Sequence, residues 1–136
     1  MALAGKSYTL DTSAYSAYNR GDQRLRPYFT ATTELLLPLP VVGELQAGFA
    51  LGSRQRENEL LLQRFIDQPN VRLVTLTDQT TQHFARVFAA LRTAGTPIGT
   101  NDMWIAALTL EHGAQLLTLD SDFGRVPRLR MVHLGQ

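Results

Sequence analysis

Apolar residues along this chain fall into two alternating rhythms. Short unbroken runs, Tyr8-Thr9-Leu10, Leu35-Leu36-Leu37-Pro38-Leu39, Val71 to Leu76, Leu116-Leu117-Thr118-Leu119 and Met131-Val132-His133-Leu134, have the length of buried strands. Helical patterns lie between them. Thr12-Ser13 offers an N-cap for a helix over Ala14 to Tyr18, Gly21-Asp22 breaks it, and Gln23 to Thr30 supplies a second. Val41 to Leu51 ends at Gly52, and Glu57 to Asp67 carries Leu61, Leu62, Phe65 and Ile66 along one stripe. Thr77-Asp78 caps a helix in which Phe84, Val87, Phe88 and Leu91 recur at i, i+3, i+4 and i+7, with Gly95 as its stop. Thr100-Asn101-Asp102 starts a helix over Met103 to His112, closed by Gly113. Strands alternating with helices predict right-handed crossovers and a parallel sheet covered on both faces. The expectation is one α/β domain over residues 1–136.

Composition narrows the chemistry. Hydrophobic residues make up 44% of 136, enough for a packed core. There is no cysteine, so disulfides, thiolate metal sites and a cysteine nucleophile are excluded. Met1 to Lys6 lacks the pattern of a secretory leader, and the longest apolar run, Leu35 to Val42, is too short to cross a bilayer. A soluble cytoplasmic protein without membrane contact is expected. Net charge is only +1, but Lys6 is the sole lysine among thirteen basic residues, so twelve are arginine, the side chain suited to bidentate phosphate contact.

Five carboxylates carry the functional signal: Asp11, Glu44, Asp102, Asp120 and Asp122 each stand where an apolar run ends or a helix begins. In a parallel sheet the C-terminal strand ends share one edge, so these remote residues converge there. Several anions in one small space repel unless cations lie between them. Oxygen-only donors suit magnesium or manganese, and hydrolysis is the chemistry such a site supports. Each residue also has a plainer use, since Asp11 and Asp120 could cap the turns after their strands and Asp102 could be a helix-opening acid. Joint placement favours the site.

Leu10-Asp11-Thr12-Ser13, Glu44-Leu45, the stretch Pro97-Ile98-Gly99-Thr100-Asn101-Asp102-Met103-Trp104-Ile105-Ala106-Ala107, and Leu117-Thr118-Leu119-Asp120-Ser121-Asp122-Phe123 resemble the signature blocks of PIN-domain nucleases. Within that superfamily the compact layout resembles the VapC-type toxins of bacterial type II toxin–antitoxin pairs. The resemblance implies a PIN-like three-layer α/β/α sandwich around a central parallel sheet of four to five strands. It implies that Asp11, Glu44, Asp102 and Asp120 are the catalytic acids and bind Mg2+ (Mn2+ a possible substitute), with Asp122 as a fifth carboxylate. Ser13 and Thr118 match hydroxyl positions that hydrogen-bond the ligands, and Asn101 an orienting position. The implied activity is RNA cleavage by metal-activated water, and the implied partners are RNA, a cognate antitoxin and a second copy of the chain. An antitoxin tail is expected between the helices of residues 14–30 and 41–67, where Phe49, Leu51, Leu61 and Phe65 suit a groove and core packing equally well, and to present an arginine or another group to the acidic pocket. Arg125, just past Asp122, is placed to meet a phosphate.

The neighbouring residues have plainer readings. His83, His112 and His133 match no metal spacing, and Trp104, Tyr15 and Tyr18 suit packing at least as well as base stacking. A receiver domain is excluded because the third strand ends in Leu76-Thr77-Asp78 and no lysine follows the fifth. A haloacid-dehalogenase-like phosphatase is excluded because Ser13 stands where a second aspartate belongs. The rival from another class is a PIN-fold RNA- or protein-binding module with negligible turnover.

Overall fold

A computed structural model describes residues 5–135. Most of the stretch read as free of a leader, residues 1–4, lies outside them. Five strands form one parallel sheet: β1 (Ser7–Leu10), β2 (Glu34–Pro38), β3 (Val71–Val74), β4 (Gln115–Thr118) and β5 (Met131–His133), in the order β3-β2-β1-β4-β5. Five α-helices cover it: α1 (Thr12–Asn19), α2 (Leu39–Leu51), α3 (Gln55–Ile66), α4 (Asp78–Ala94) and α5 (Thr100–Glu111). The architecture is the expected α/β/α sandwich, with five strands.

The sequence of strands explains the layers. From β1 the chain moves outward through β2 to β3, then crosses back to place β4 on the other side of β1. Right-handed crossovers therefore put α1, α2 and α3 on one face and α4 and α5 on the other. Side-chain alternation agrees: Leu35 and Leu37 join the main core with Tyr15, Val41 and Phe65, whereas Leu36 turns to Val74, Leu108 and Ala114. The winding direction reverses between β1 and β4, and the carboxyl ends of those two strands form the crevice where open α/β sheets bind ligands.

Several boundaries differ from the sequence reading, each for a local reason. The cap of α1 is Asp11, whose carboxylate accepts from Ala14 N at 2.8 Å; Thr12 and Ser13 lie inside the helix. Gln23 to Thr30 is not an α-helix. A 3-10 turn over Gln23–Leu25 is followed by further turns, because Pro27 has no N–H to donate and disfavours helical geometry before it. Leu39 opens α2 instead of ending β2, with Pro40 near the helix start where a missing N–H costs nothing. Thr75 and Leu76 fall outside β3. α4 has the expected Thr77 cap, doubled by Thr80, and ends at Gly95 with φ 70°, a left-handed turn in which glycine is unstrained. α5 starts three residues before the predicted Met103, because Gly99 supplies an extended cap with no side chain to signal it; His112 is its C-cap.

Two aromatic expectations are also settled. Tyr15 is buried and meets Phe65 edge-on, and Tyr18 stacks on Phe29 with centroids 4.0 Å apart, so both serve packing. Trp104 stacks on Phe84 at 3.9 Å. Of the two uses open to Phe65, groove or core, the structure takes the second: it is 5% exposed and belongs to the core.

Candidate active site

Asp11 occupies the end of β1, at the crevice, and is held by three donors. Its Oδ1 accepts from Ser13 Oγ at 2.7 Å and Ala14 N at 2.8 Å, and its Oδ2 accepts from Thr118 Oγ1 at 2.5 Å. Thr118, the last residue of β4, accepts in turn from Asp120 N at 2.9 Å, while Ser13 Oγ accepts from Leu119 N at 3.0 Å. The two hydroxyls thus fix Asp11 against the turn that carries Asp120. Asp120 caps the 3-10 turn Ser121–Arg125 by accepting from Asp122 N at 2.9 Å. Both plainer readings of Asp11 and Asp120 are therefore realised: each caps, and each does so while standing at the crevice.

Glu44 lies on α2 and accepts from Thr12 Oγ1 at 2.6 Å. Thr12 was read only as a cap. With Asp11 as the cap, Thr12 becomes the first helical residue and its hydroxyl is free for a neighbour, which is the signal that could have found it. Asn101 donates to Pro40 O at 3.5 Å, tying the start of α5 to the start of α2 and touching no carboxylate. Arg125 is 3.4 Å from Asp122 Oδ1 and donates to Pro97 O at 3.2 Å, so it is already engaged on both sides.

Asp102, in the first turn of α5, links the rest electrostatically. Burial raises its pKa first, and the charges of Glu44, Asp120, Asp11 and Asp122 raise it further, to about 6. Asp11 is also raised, chiefly by burial, against the lowering effect of its Thr118, Ser13 and Ala14 bonds. Among the described residues the four ion pairs use Asp22, Glu57, Glu34 and Asp122, so Asp11, Glu44, Asp102 and Asp120 have no basic partner. No three of these carboxylates stand close enough to share one ion as their side chains lie, again among the described residues. Mutually repelling, oxygen-only donors without a protein counter-charge fit a hard dication.

The raised Asp102 has a measurable consequence. Between its ordinary value of 3.8 and about 6 the folded protein holds a proton that the unfolded chain releases. This contribution favours the metal-free fold below pH 3.8 and is lost as pH rises through about 6. In a chelating buffer the melting temperature is expected to fall between about pH 4 and 6 relative to that of Asp102→Asn. A difference between the two proteins that stays flat across that window contradicts the reading.

The PIN domain family model matches residues 8–129, nearly the whole chain. The chain belongs to the PIN-domain family. Its relatives there include ribonuclease VapC5 of Mycobacterium tuberculosis (strain ATCC 25618 / H37Rv), 30% identical over 126 residues and spanning 90% of each protein. Ribonuclease VapC4 of the same organism is 30% identical over 92 residues, 67% of this chain; the match spans 66% of VapC4, just under two-thirds of its length. In fold the chain is similar to VapBC2 from Rickettsia felis, solved bound to a promoter DNA fragment, with TM-score 0.81, 23% identity and coverage of 93% of this chain and 98% of that one.

Proposed function

We propose that this protein is a metal-dependent endoribonuclease acting as the toxin of a toxin–antitoxin pair. One observation carries the reading: Asp11, Glu44, Asp102 and Asp120 have no basic partner among the described residues, and burial, then the charges of Glu44, Asp120, Asp11 and Asp122, lifts Asp102 to about 6. Asp11, Glu44, Asp102 and Asp120 would hold the ion, Mg2+ by preference and Mn2+ as a substitute, with Asp122 beside them. Bound there, a dication supplies Lewis acidity, acidifying a water and offsetting charge on a phosphodiester. Thr118 and Ser13 keep Asp11 aimed, and Thr12 does the same for Glu44. Water attacks phosphorus in line, the P–O3′ bond breaks and the departing oxygen takes up a proton. The products are a 5′-phosphate and a 3′-hydroxyl. No serine or histidine nucleophile is required.

An inhibitory partner fits the layer of α2 and α3. Leu51 is 92% exposed and Leu61 45% exposed on α2 and α3, an apolar surface that a cognate antitoxin tail would cover. Such a tail would also bring a cation to the acidic pocket, and the active species would be a homodimer in the cytoplasm. No helix among the described residues is long and apolar enough to cross a membrane.

Metal removal is the test. Single-stranded RNA should be cut in Mg2+ or Mn2+, and chelation should lower the rate at least about a hundredfold, with recovery on adding metal back. RNA bound but left intact at saturating metal would replace this reading with that of a binding module.

A further inference from the structure

A recess of about 420 Å³ opens between α4, the end of α5 remote from Asp102 and the loop after Arg125. Leu110 and Pro127 wall it with apolar surface over a floor at the buried Val87, and His83, Arg86 and Arg128 stand at it as polar or cationic groups. Neither arginine belongs to any of the ion pairs among the described residues. Arg128 is also the one described non-glycine residue with positive φ, at 66°. Glycine or asparagine would hold that left-handed turn at lower cost than the arginine that stands there. Strain of this kind persists where the side chain is needed.

The recess connects with the carboxylates through the same loop. Arg125 lies against Asp122 and the α4–α5 linker, and Arg128 follows it by three residues, past Pro127. Leu110 and Asp102 share α5, eight residues apart, or about 12 Å along its axis, a span that a few nucleotides of single strand cover. Guanidinium forks match phosphate oxygens, and an apolar wall accepts the face of a base without regard to its identity.

We propose that this recess binds one nucleotide of single-stranded RNA remote from the scissile bond, its base against Val87, Leu110 and Pro127 and its phosphate between Arg86 and Arg128. The proposal rests on the nucleolytic reading for its substrate, but its test is separable from that reading.

Affinity for a labelled RNA of about twelve nucleotides is measured in chelator, across a salt series, for the wild type, Arg86→Gln, Arg128→Gly and the double variant. Cleavage of the same RNA and of one of about four nucleotides is then measured in Mg2+. The double variant should bind on the order of tenfold more weakly, and its log affinity against log salt should be shallower by about 1.4, the slope of two lost single-strand phosphate contacts. Its KM should rise on the long RNA with kcat unchanged, and the short RNA should not register the change. Arg128→Gly should melt no lower than the wild type, which separates a lost contact from a damaged fold. Unchanged affinity and salt slope in folded variants would overturn the subsite. So would variants that keep RNA affinity but lose binding of a glutamate-rich peptide, since the recess would then dock protein. RNA held in the predicted variant-sensitive way yet never cut would sink the nucleolytic reading and leave the subsite standing.

Discussion

Asp11→Asn should lower metal-dependent RNA cleavage by roughly a thousandfold or more, on the order of 4 kcal/mol of transition-state stabilisation, and yet raise the melting temperature in chelator. Both effects come from one substitution. The carboxylate is buried, and burial together with the charge of Asp120 disfavours its ionised form. An asparagine keeps an oxygen to accept from Ser13 Oγ and Ala14 N. Thr118 Oγ1, which already accepts from Asp120 N, can rotate to accept from the new amide as well. The fold therefore sheds a buried charge, which outweighs the acceptor lost to the Thr118 hydroxyl proton, while the crevice loses a hard ligand. Calorimetry in EDTA and cleavage in Mg2+ check the two arms. Full activity at unchanged metal affinity would remove Asp11 from the reaction.

Phe65→Ala should cost about 3–5 kcal/mol of unfolding free energy, the range for deleting a large buried aromatic. Its ring is 5.2 Å from Tyr15, 5.9 Å from Phe29 and 6.4 Å from Tyr18, centroid to centroid, and joins α3 to α1 and the turn beyond it. For a domain whose total stability is about 5–15 kcal/mol, that loss leaves little reserve. Leu61→Ala, four residues earlier on the same helix and 45% exposed, should cost under about 1 kcal/mol. Urea unfolding of the pair separates core from surface. Equal costs would mean that α3 does not present these faces as described.

That contrast marks where reading the chain stops short. Leu61, Leu62, Phe65 and Ile66 share a helical stripe in the sequence, but spacing cannot say which flank meets the sheet and which meets solvent. The carboxylates stand out in the sequence because each ends an apolar run or lies near a helix start, a one-dimensional signal with a three-dimensional consequence. Strand order was not, since nothing in the residues of β4 announces that it lies beside β1. Glycine capping hid the true start of α5, because a cap made by backbone conformation leaves no side-chain mark at Gly99. Pro27 was visible and should have stopped the second helix. Thr12 was read only as a cap, because its bond to Glu44 depends on a partner brought from elsewhere in the fold.

The bond from Thr118 to Asp11 spans 107 positions of sequence. During translation, which delivers the N-terminal part first, β1, β2 and β3 can emerge while the slot beside β1 is still empty of β4. A nascent chain of that length has Asp11 without its threonine clamp and lacks Asp120 altogether. A polypeptide still threaded through the ribosome therefore cannot complete this crevice until β4 and Asp120 have left the exit tunnel.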